Sequence, residues 1–311
     1  MEQARRTTSM LDYGLIGVLG ILLGIPYALT KITQTTIPPL TGVAARVVLA
    51  AIALWFIVLA SKIRLRSLKG YMPLLFVQGC VSSVIPYTLI AYGQVSVNSA
   101  VAAILNSTTP LFVCLISLFW TRHEPLNFNR IFGVSAGLAG VIMIAGVNSL
   151  QRLGTDAFGQ VAIVVATASA AVAAIHGRKF DNMAPELAAA GSLTCAAIVL
   201  VPLCFLMDAP LQLAPSAGSI VALLVNAVFA TALRAIIYFR LLRTIGSIGT
   251  TSAGYLKPAV GVLIGCTFLG ENLTSMAAVG LVAIFIGVAI IDQKQQSETA
   301  RRSNLAVVPT A

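Results

Sequence analysis

Acid is what this chain has least of where it would matter. Ten of its 311 residues are Asp or Glu, and each lies outside the long apolar runs or at the edge of one. Charge of either sign is scarce, at 10% of residues against 58% hydrophobic, and the mean hydropathy is +0.93. A soluble domain of this length carries far more charge, so the composition is that of an all-α, polytopic membrane protein. Histidine is scarcer still. His123 and His176 stand far apart near loops, which leaves no ligand set for a metal and no cofactor to expect. The five cysteines fall inside apolar runs, never as Cys-x-x-Cys, and read as small buried hydrophobes. Neither His-Glu-x-x-His, nor paired acidic motifs for a metal diphosphate, nor Gly-x-x-x-x-Gly-Lys-Ser/Thr occurs, so metalloprotease, prenyl-transfer and ATP-hydrolysing chemistry are excluded. The chain is not read as an enzyme. Polar residues gather near mid-depth rather than in a stripe through the membrane, which argues against a channel.

What is present is a series of ten apolar runs, at residues 11–32, 38–60, 71–92, 97–120, 129–147, 158–177, 185–207, 217–240, 246–270 and 273–291. Arg5 and Arg6 precede the first run, but no small-residue cleavage site follows it, so it reads as a first membrane helix. With the N-terminus inside, fifteen of the twenty Lys and Arg fall in inner segments and only Lys31 and Arg152 in outer ones. Both termini are therefore expected in the cytoplasm. The net charge of +10 is then mostly topology and calls for no nucleic acid. Three basic residues remain inside spans: Arg46, Arg234 and Lys257.

The runs repeat. "NSTTPLFVCLISLFWTRHEPLNFNRIFGVSAGLAGVIMIAG" from residue 106 aligns with "GYLKPAVGVLIGCTFLGENLTSMAAVGLVAIFIGVAII" from residue 254. Pro110 meets Pro258, Glu124 meets Glu271 after one gap, Gly133 meets Gly280 and Gly140 meets Gly287. The unit is five helices, and because five is odd the second copy must enter the membrane from the opposite side. The expected domains are a tail at 1–10, repeats at 11–147 and 158–291 around an outer linker at 148–157, and a tail at 292–311. A proline, about a dozen apolar residues, a glutamate and a glycine-spaced helix, found twice in ten spans, resembles the EamA family of the drug/metabolite transporter superfamily. Within it the chain is similar to bacterial amino-acid and metabolite exporters, including the aromatic amino-acid exporter type. That resemblance implies a multi-pass protein of a bacterial inner membrane. One departure is Lys257, where related sequences often carry an acidic or neutral residue before the second proline.

Prolines inside a span free a carbonyl four residues earlier, and a bare carbonyl at membrane depth must face protein or a water-filled cavity. Pro26, Pro86, Pro110 and Pro258 are candidate hinges or gates, with packing kinks as the plainer account. Pro110 frees Asn106 and Pro258 frees Gly254. Gly20 with Gly24, and Gly261 with Gly265, are spaced for close helix packing. Lys257 sits mid-span, where an unpaired cation costs several kcal/mol, so it is a site candidate by default. Arg46 and Arg234 lie nearer span ends, and the stem of Arg234 could snorkel to the surface. No carboxylate at that depth can neutralise the three. Either a carboxylate on a substrate supplies the counter-charge, or Lys257 couples protons, or each cation rests on helix-end carbonyls and polar neighbours. Gln78, Tyr87, Asn106, Thr109, Tyr238 and Tyr255 complete the candidate substrate-binding set, Tyr238 being equally an interfacial anchor.

The expectation is a secondary transporter that exports amino acids or similar small metabolites by alternating access. Its alternatives are an antiporter of phosphorylated or nucleotide-linked anions and an exporter of amphipathic drugs. Its partners are that small molecule and the bilayer, and a monomer is expected.

Overall fold

The computed structural model describes residues 10–63, 65, 68–116, 139, 155–270, 275, 278–283 and 286. Its long helices are α1 (Met10–Thr33), α2 (Pro39–Ala60), α7 (Thr155–Gly177) and α8 (Pro185–Met207). Between them lie α3 (Leu68–Gly79), α4 (Ile85–Ser96), α5 (Ser99–Asn106) and α6 (Thr109–Ile116). After them come α9 (Ala217–Ala227), α10 (Arg234–Ser252) and α11 (Leu256–Phe268). Among the described residues six segments are long and apolar enough to cross a membrane: Gly14–Thr33, Pro39–Ala60, Gly70–Ser96, Ala157–Phe180, Pro185–Met207 and Ala217–Thr244. Each reaches or exceeds the roughly 20 residues that span about 30 Å of hydrocarbon. Both α2 and α8 start on a proline in the first helical turn, where its missing N–H costs nothing. The carboxylate of Asp208, at the far end of α8, accepts from the Thr41 backbone N–H at 2.7 Å and so caps α2.

The run expected at 97–120 breaks between α5 and α6. Pro110 offers no N–H to Asn106, and the hydroxyls of Ser107, Thr108 and Thr109 donate to the carbonyls of Ile104, Leu105 and Asn106 at 2.6, 2.7 and 2.8 Å. Local side-chain bonds have thus replaced one turn of helix. The run expected at 246–270 breaks in the matching place, with a 3₁₀ turn at Ala253–Tyr255 before α11. The run at 129–147 apart from Ala139, most of 273–291, the tails at 1–9 and 292–311, and Glu124, Gly133, Gly140, Glu271 and Gly287 lie outside the described residues.

Two features carry no local signal in the sequence. Cys80–Val84 joins α3 to α4 as a π-helical turn, and Val228–Leu233 joins α9 to α10 in the same way. Val228 follows Cys80 at the same sequence offset as Pro258 follows Pro110. Each wide turn inserts a residue into the helix and re-aims the face that follows it, a device common at functional sites.

Packing has a pairwise order. Thr41 meets Asp208 and Trp55 meets Thr194, so α2 and α8 run antiparallel. Gly93 approaches Gly159 while Ser169 donates to the Val81 carbonyl, so α3–α4 runs antiparallel to α7. Asn226 meets Thr30 and Ser219 meets Thr36, so α9–α10 runs antiparallel to α1. Lastly α5 faces α11, through Lys257 on Asn106 and Gly261 on Ala103. Exchanging α1 with α7, α2 with α8, α3–α4 with α9–α10 and α5–α6 with α11 maps each of the most extensive helix packings onto another of them or onto itself. Tight seams need small residues, because lipid supplies no hydrophobic drive between helices. A Cβ on Gly20 would lie 2.6 Å from that of Leu256, and one on Gly24 would lie 2.9 Å from the Lys257 carbonyl.

Candidate functional site

Where the two π turns and the two helix breaks converge, the helices enclose a cavity of about 180 Å³. That is smaller than the roughly 300–1,000 Å³ of drug-sized pockets and suits a small metabolite. Its wall takes residues from α1 and the turn after it (Pro26, Tyr27, Gln34), α2 (Arg46), α3–α4 (Gln78, Pro86, Tyr87, Gln94), the first break (Asn106, Thr109), α9–α10 (Asn226, Arg234, Tyr238) and α11 (Lys257). Among the described residues no Asp or Glu lines it.

Lys257 is 5% exposed and stands one residue after the first of α11. Its ammonium donates to the Asn106 main-chain oxygen at 3.0 Å and to Asn106 Oδ1 at 2.6 Å. The first acceptor is the carbonyl that Pro110 releases, so the cation of one broken helix is held by the break of the other. Asn106 Nδ2 donates in turn to Thr167 Oγ1 at 3.2 Å, and Thr167 to the Ile163 carbonyl at 2.7 Å. This chain fixes the amide with its oxygen toward the lysine.

Arg46 and Arg234 meet around one tyrosine. The Arg46 guanidinium carbon lies 4.2 Å from the centroid of the Tyr87 ring, and its Nε donates to Thr231 Oγ1 at 2.6 Å. Arg234 donates from Nη2 to the Tyr87 hydroxyl and from Nε to the Ala230 carbonyl at 2.9 Å. Arg234 therefore turns inward rather than to the surface. Wide turns make this possible: Arg234 follows Leu233 at the end of the second, and Tyr87 stands three residues beyond Val84 at the end of the first. The ring quadrupole and neutral oxygens stabilise both cations partially, but among the described residues no acid cancels their charge. Buried Arg46 and Lys257, with half-buried Arg234, focus a field that attracts an anion.

Lys257, Arg46, Asn106, Thr109, Gln78, Tyr87, Arg234 and Tyr238 thus line one cavity, as do Pro26 and Pro86. Gln78 is committed elsewhere, donating to the Ala173 carbonyl at 3.3 Å and meeting His176 Nδ1 at 2.9 Å. Tyr255 falls in the 3₁₀ turn, and its side chain, like that of Pro110, lies outside the described residues. Pro258 is buried at the second break and is not among the residues lining the cavity. Gln94, Gln34, Asn226, Tyr27 and Ser83 also line the cavity, and sequence reading missed them. Asn226 had a signal, an amide inside an apolar run. Gln34 and Gln94 fell just past the expected ends of their spans. Among the described residues no three His, Cys, Asp or Glu side chains gather as a metal site.

Comparison with known proteins agrees with this architecture. The chain is 27% identical over 288 residues to the uncharacterized inner membrane transporter YedA of Escherichia coli, covering 90% of each chain. It is 23% identical over 277 residues to the uncharacterized transporter YoaV of Bacillus subtilis, covering 88% of this chain and 94% of that one. Protein PecM of Dickeya dadantii is 26% identical over 225 residues, 71% of this chain and 74% of its own. A solved crystal structure shares the fold with a TM-score of 0.65 at 18% identity, covering 91% of this chain and 97% of that one. The EamA-like transporter family matches twice, over residues 12–146 and 157–292, and the chain is a member of that family of membrane transporters, not an enzyme.

Proposed function

We propose that this protein is a secondary transporter of the bacterial inner membrane that exports amino acids or similar small carboxylate-bearing metabolites, aromatic amino acids among the candidates. One observation carries the reading: Arg46, Arg234 and Lys257 converge on a cavity that no acid among the described residues lines. A substrate carboxylate supplies the missing counter-charge, and guanidinium forks suit it geometrically. Ten helices arranged as two inverted five-helix repeats, at 11–147 and 158–291 with both termini cytoplasmic, give alternating access about that cavity. The exchange-symmetric contacts and the two matched π turns support this arrangement. Pro26, Pro86, Pro110 and Pro258 serve as hinges, and Lys257, Arg46, Asn106 and Thr109 form the centre of the binding site.

The same three cations favour a second reading, exchange of phosphorylated anions. Counterflow in liposomes holding the purified protein separates the two, with labelled amino acids in one panel and sugar phosphates in the other. Saturable, trans-stimulated amino-acid uptake is the expected result. Uptake confined to the phosphates would replace the proposal with the second reading.

A further inference from the structure

The second wide turn does more than aim Arg234 inward. Both arginines of the cavity rest Nε on it, Arg46 on Thr231 Oγ1 at 2.6 Å and Arg234 on the Ala230 carbonyl at 2.9 Å. Thr231 is fully buried and does not line the cavity. Its hydroxyl proton goes to the Asn226 main-chain carbonyl at 2.8 Å. That carbonyl can only accept and an arginine can only donate, so the hydroxyl has one possible polarity and presents a lone pair to Arg46. The turn sets its reach. Thr33, Thr167 and Thr194 each donate to the carbonyl four residues earlier, the usual span for a helical threonine. Thr231 donates five residues back, because the π turn inserts one residue. The first wide turn carries a buried hydroxyl, Ser83, at the matching place.

We infer that Thr231 is a positioning residue for cargo binding: it sets the rotation of the Arg46 guanidinium, and with it the edge offered to an anionic group. The role rests on the anion-binding reading of the cavity given above. A guanidinium has two kinds of edge that can grip a carboxylate or phosphate with paired N–H bonds, one that includes Nε and one made by Nη1 and Nη2. Thr231 occupies Nε, and the Tyr87 ring centroid lies 4.2 Å from the guanidinium carbon. The ring fixes the plane and Thr231 fixes the rotation within it. The edge made by Nη1 and Nη2 is the one that remains for the cargo. Without the hydroxyl the flexible Arg46 stem is held by the ring alone, and the guanidinium must be ordered anew each time cargo binds.

Counterflow in proteoliposomes tests this with labelled L-phenylalanine, L-aspartate and glucose 6-phosphate, read as a half-saturation concentration and a maximal rate per folded protein. Thr231→Val keeps the shape and removes the hydroxyl. Half-saturation should rise about ten-fold, the scale of one hydrogen bond to a charged group, with the maximal rate within about two-fold. Thr231→Ser returns the hydroxyl and should return the affinity. Thr194→Val is the control, because Thr194 also donates to a carbonyl and accepts an N–H, that of Trp55 at 2.8 Å, but does not line the cavity. It should leave half-saturation unchanged. Arg46→Lys removes the same bond without touching the turn, since lysine has no donor at the Nε position. On that background Thr231→Val should add under about two-fold. A half-saturation unmoved by Thr231→Val, a loss that Thr231→Ser shares, or a further rise of about ten-fold on the Arg46→Lys background would overturn the positioning role and leave the anion transporter standing. No saturable uptake of any of the three by the wild type would overturn the anion reading, and the role of Thr231 with it.

Discussion

The two helix breaks occupy matching positions in the repeat and are stabilised in opposite ways. The first, at Asn106–Pro110, satisfies itself, with three consecutive hydroxyls donating to three carbonyls of the preceding turn. The second, at Gly254–Pro258, has Gly, Tyr, Leu and Lys in place of Asn, Ser, Thr and Thr, so it lacks those hydroxyls. It instead sends Lys257 across to the first break, where the ammonium shares the Asn106 carbonyl with Thr109. Thr109 and Lys257 are the aligned pair, yet both end on one oxygen. A duplicated scaffold has therefore become one asymmetric site: one half supplies acceptors and the other a cation.

That contrast can be broken in graded steps. The largest effect is expected from Gly24→Leu, because side-chain atoms there would overlap Val260 and the Lys257 carbonyl, 2.9 Å from an added Cβ. Overpacking costs about 1–3 kcal/mol or more, so the fraction of monodisperse protein after solubilisation should fall and the unfolding temperature with it. Gly14, with nothing within 4 Å of an added Cβ, is the matched control as Gly14→Ala. Next comes Lys257→Met, which removes the cross-tie. Stability should change little, since losing two hydrogen bonds is offset by no longer burying a charge. Saturable counterflow should drop by about ten-fold or more, one ionic hydrogen bond's worth. Unchanged uptake would return Lys257 to a purely structural tie.

Smaller still is Thr109→Val, nearly isosteric and lacking one donor to the Asn106 carbonyl. A loss of about 0.5–1.5 kcal/mol in unfolding free energy is expected, with Lys257 still holding the oxygen. A loss far beyond that would mean the first break depends on its hydroxyls more than the geometry indicates. The smallest effect belongs to Gly254→Ala, since an added Cβ meets nothing within 4 Å. Stability should rise by under about 1 kcal/mol through the unfolded chain, and a fall would show that the second break needs glycine.

Much of this was legible beforehand. Pro110 and Pro258 announced both breaks, because a missing N–H is a local property that no packing can restore. Arg46, Arg234 and Lys257 announced a polar centre, because charge in hydrocarbon is costly wherever it sits. Even Asn106 was named as the freed carbonyl. The wide turns were not legible: Cys80–Val84 precedes a proline, Pro86, whereas Val228–Leu233 has none, so unlike sequences adopt the same turn. Without those turns a 3.6-residue period misplaces every residue beyond them, so the sequence could name both Arg234 and Tyr87 as candidates without pairing them. Gln34 and Gln94 escaped notice because both were read as lying just outside a span, where polarity carries little information.

What the sequence determined by itself is everything that follows from local chemistry and from the cost of polar groups in lipid. That covers the membrane-spanning character, a unit occurring twice, the broken helices and the cations in need of a counter-charge. Only the tertiary structure decided who meets whom. That Lys257 rests on Asn106, that two arginines share Tyr87, and that Gln34, Gln94 and Asn226 line the same cavity all depend on contacts between residues far apart in sequence. Those contacts are set by helix register and close approach at glycine, and such pairings have no period for a sequence to display.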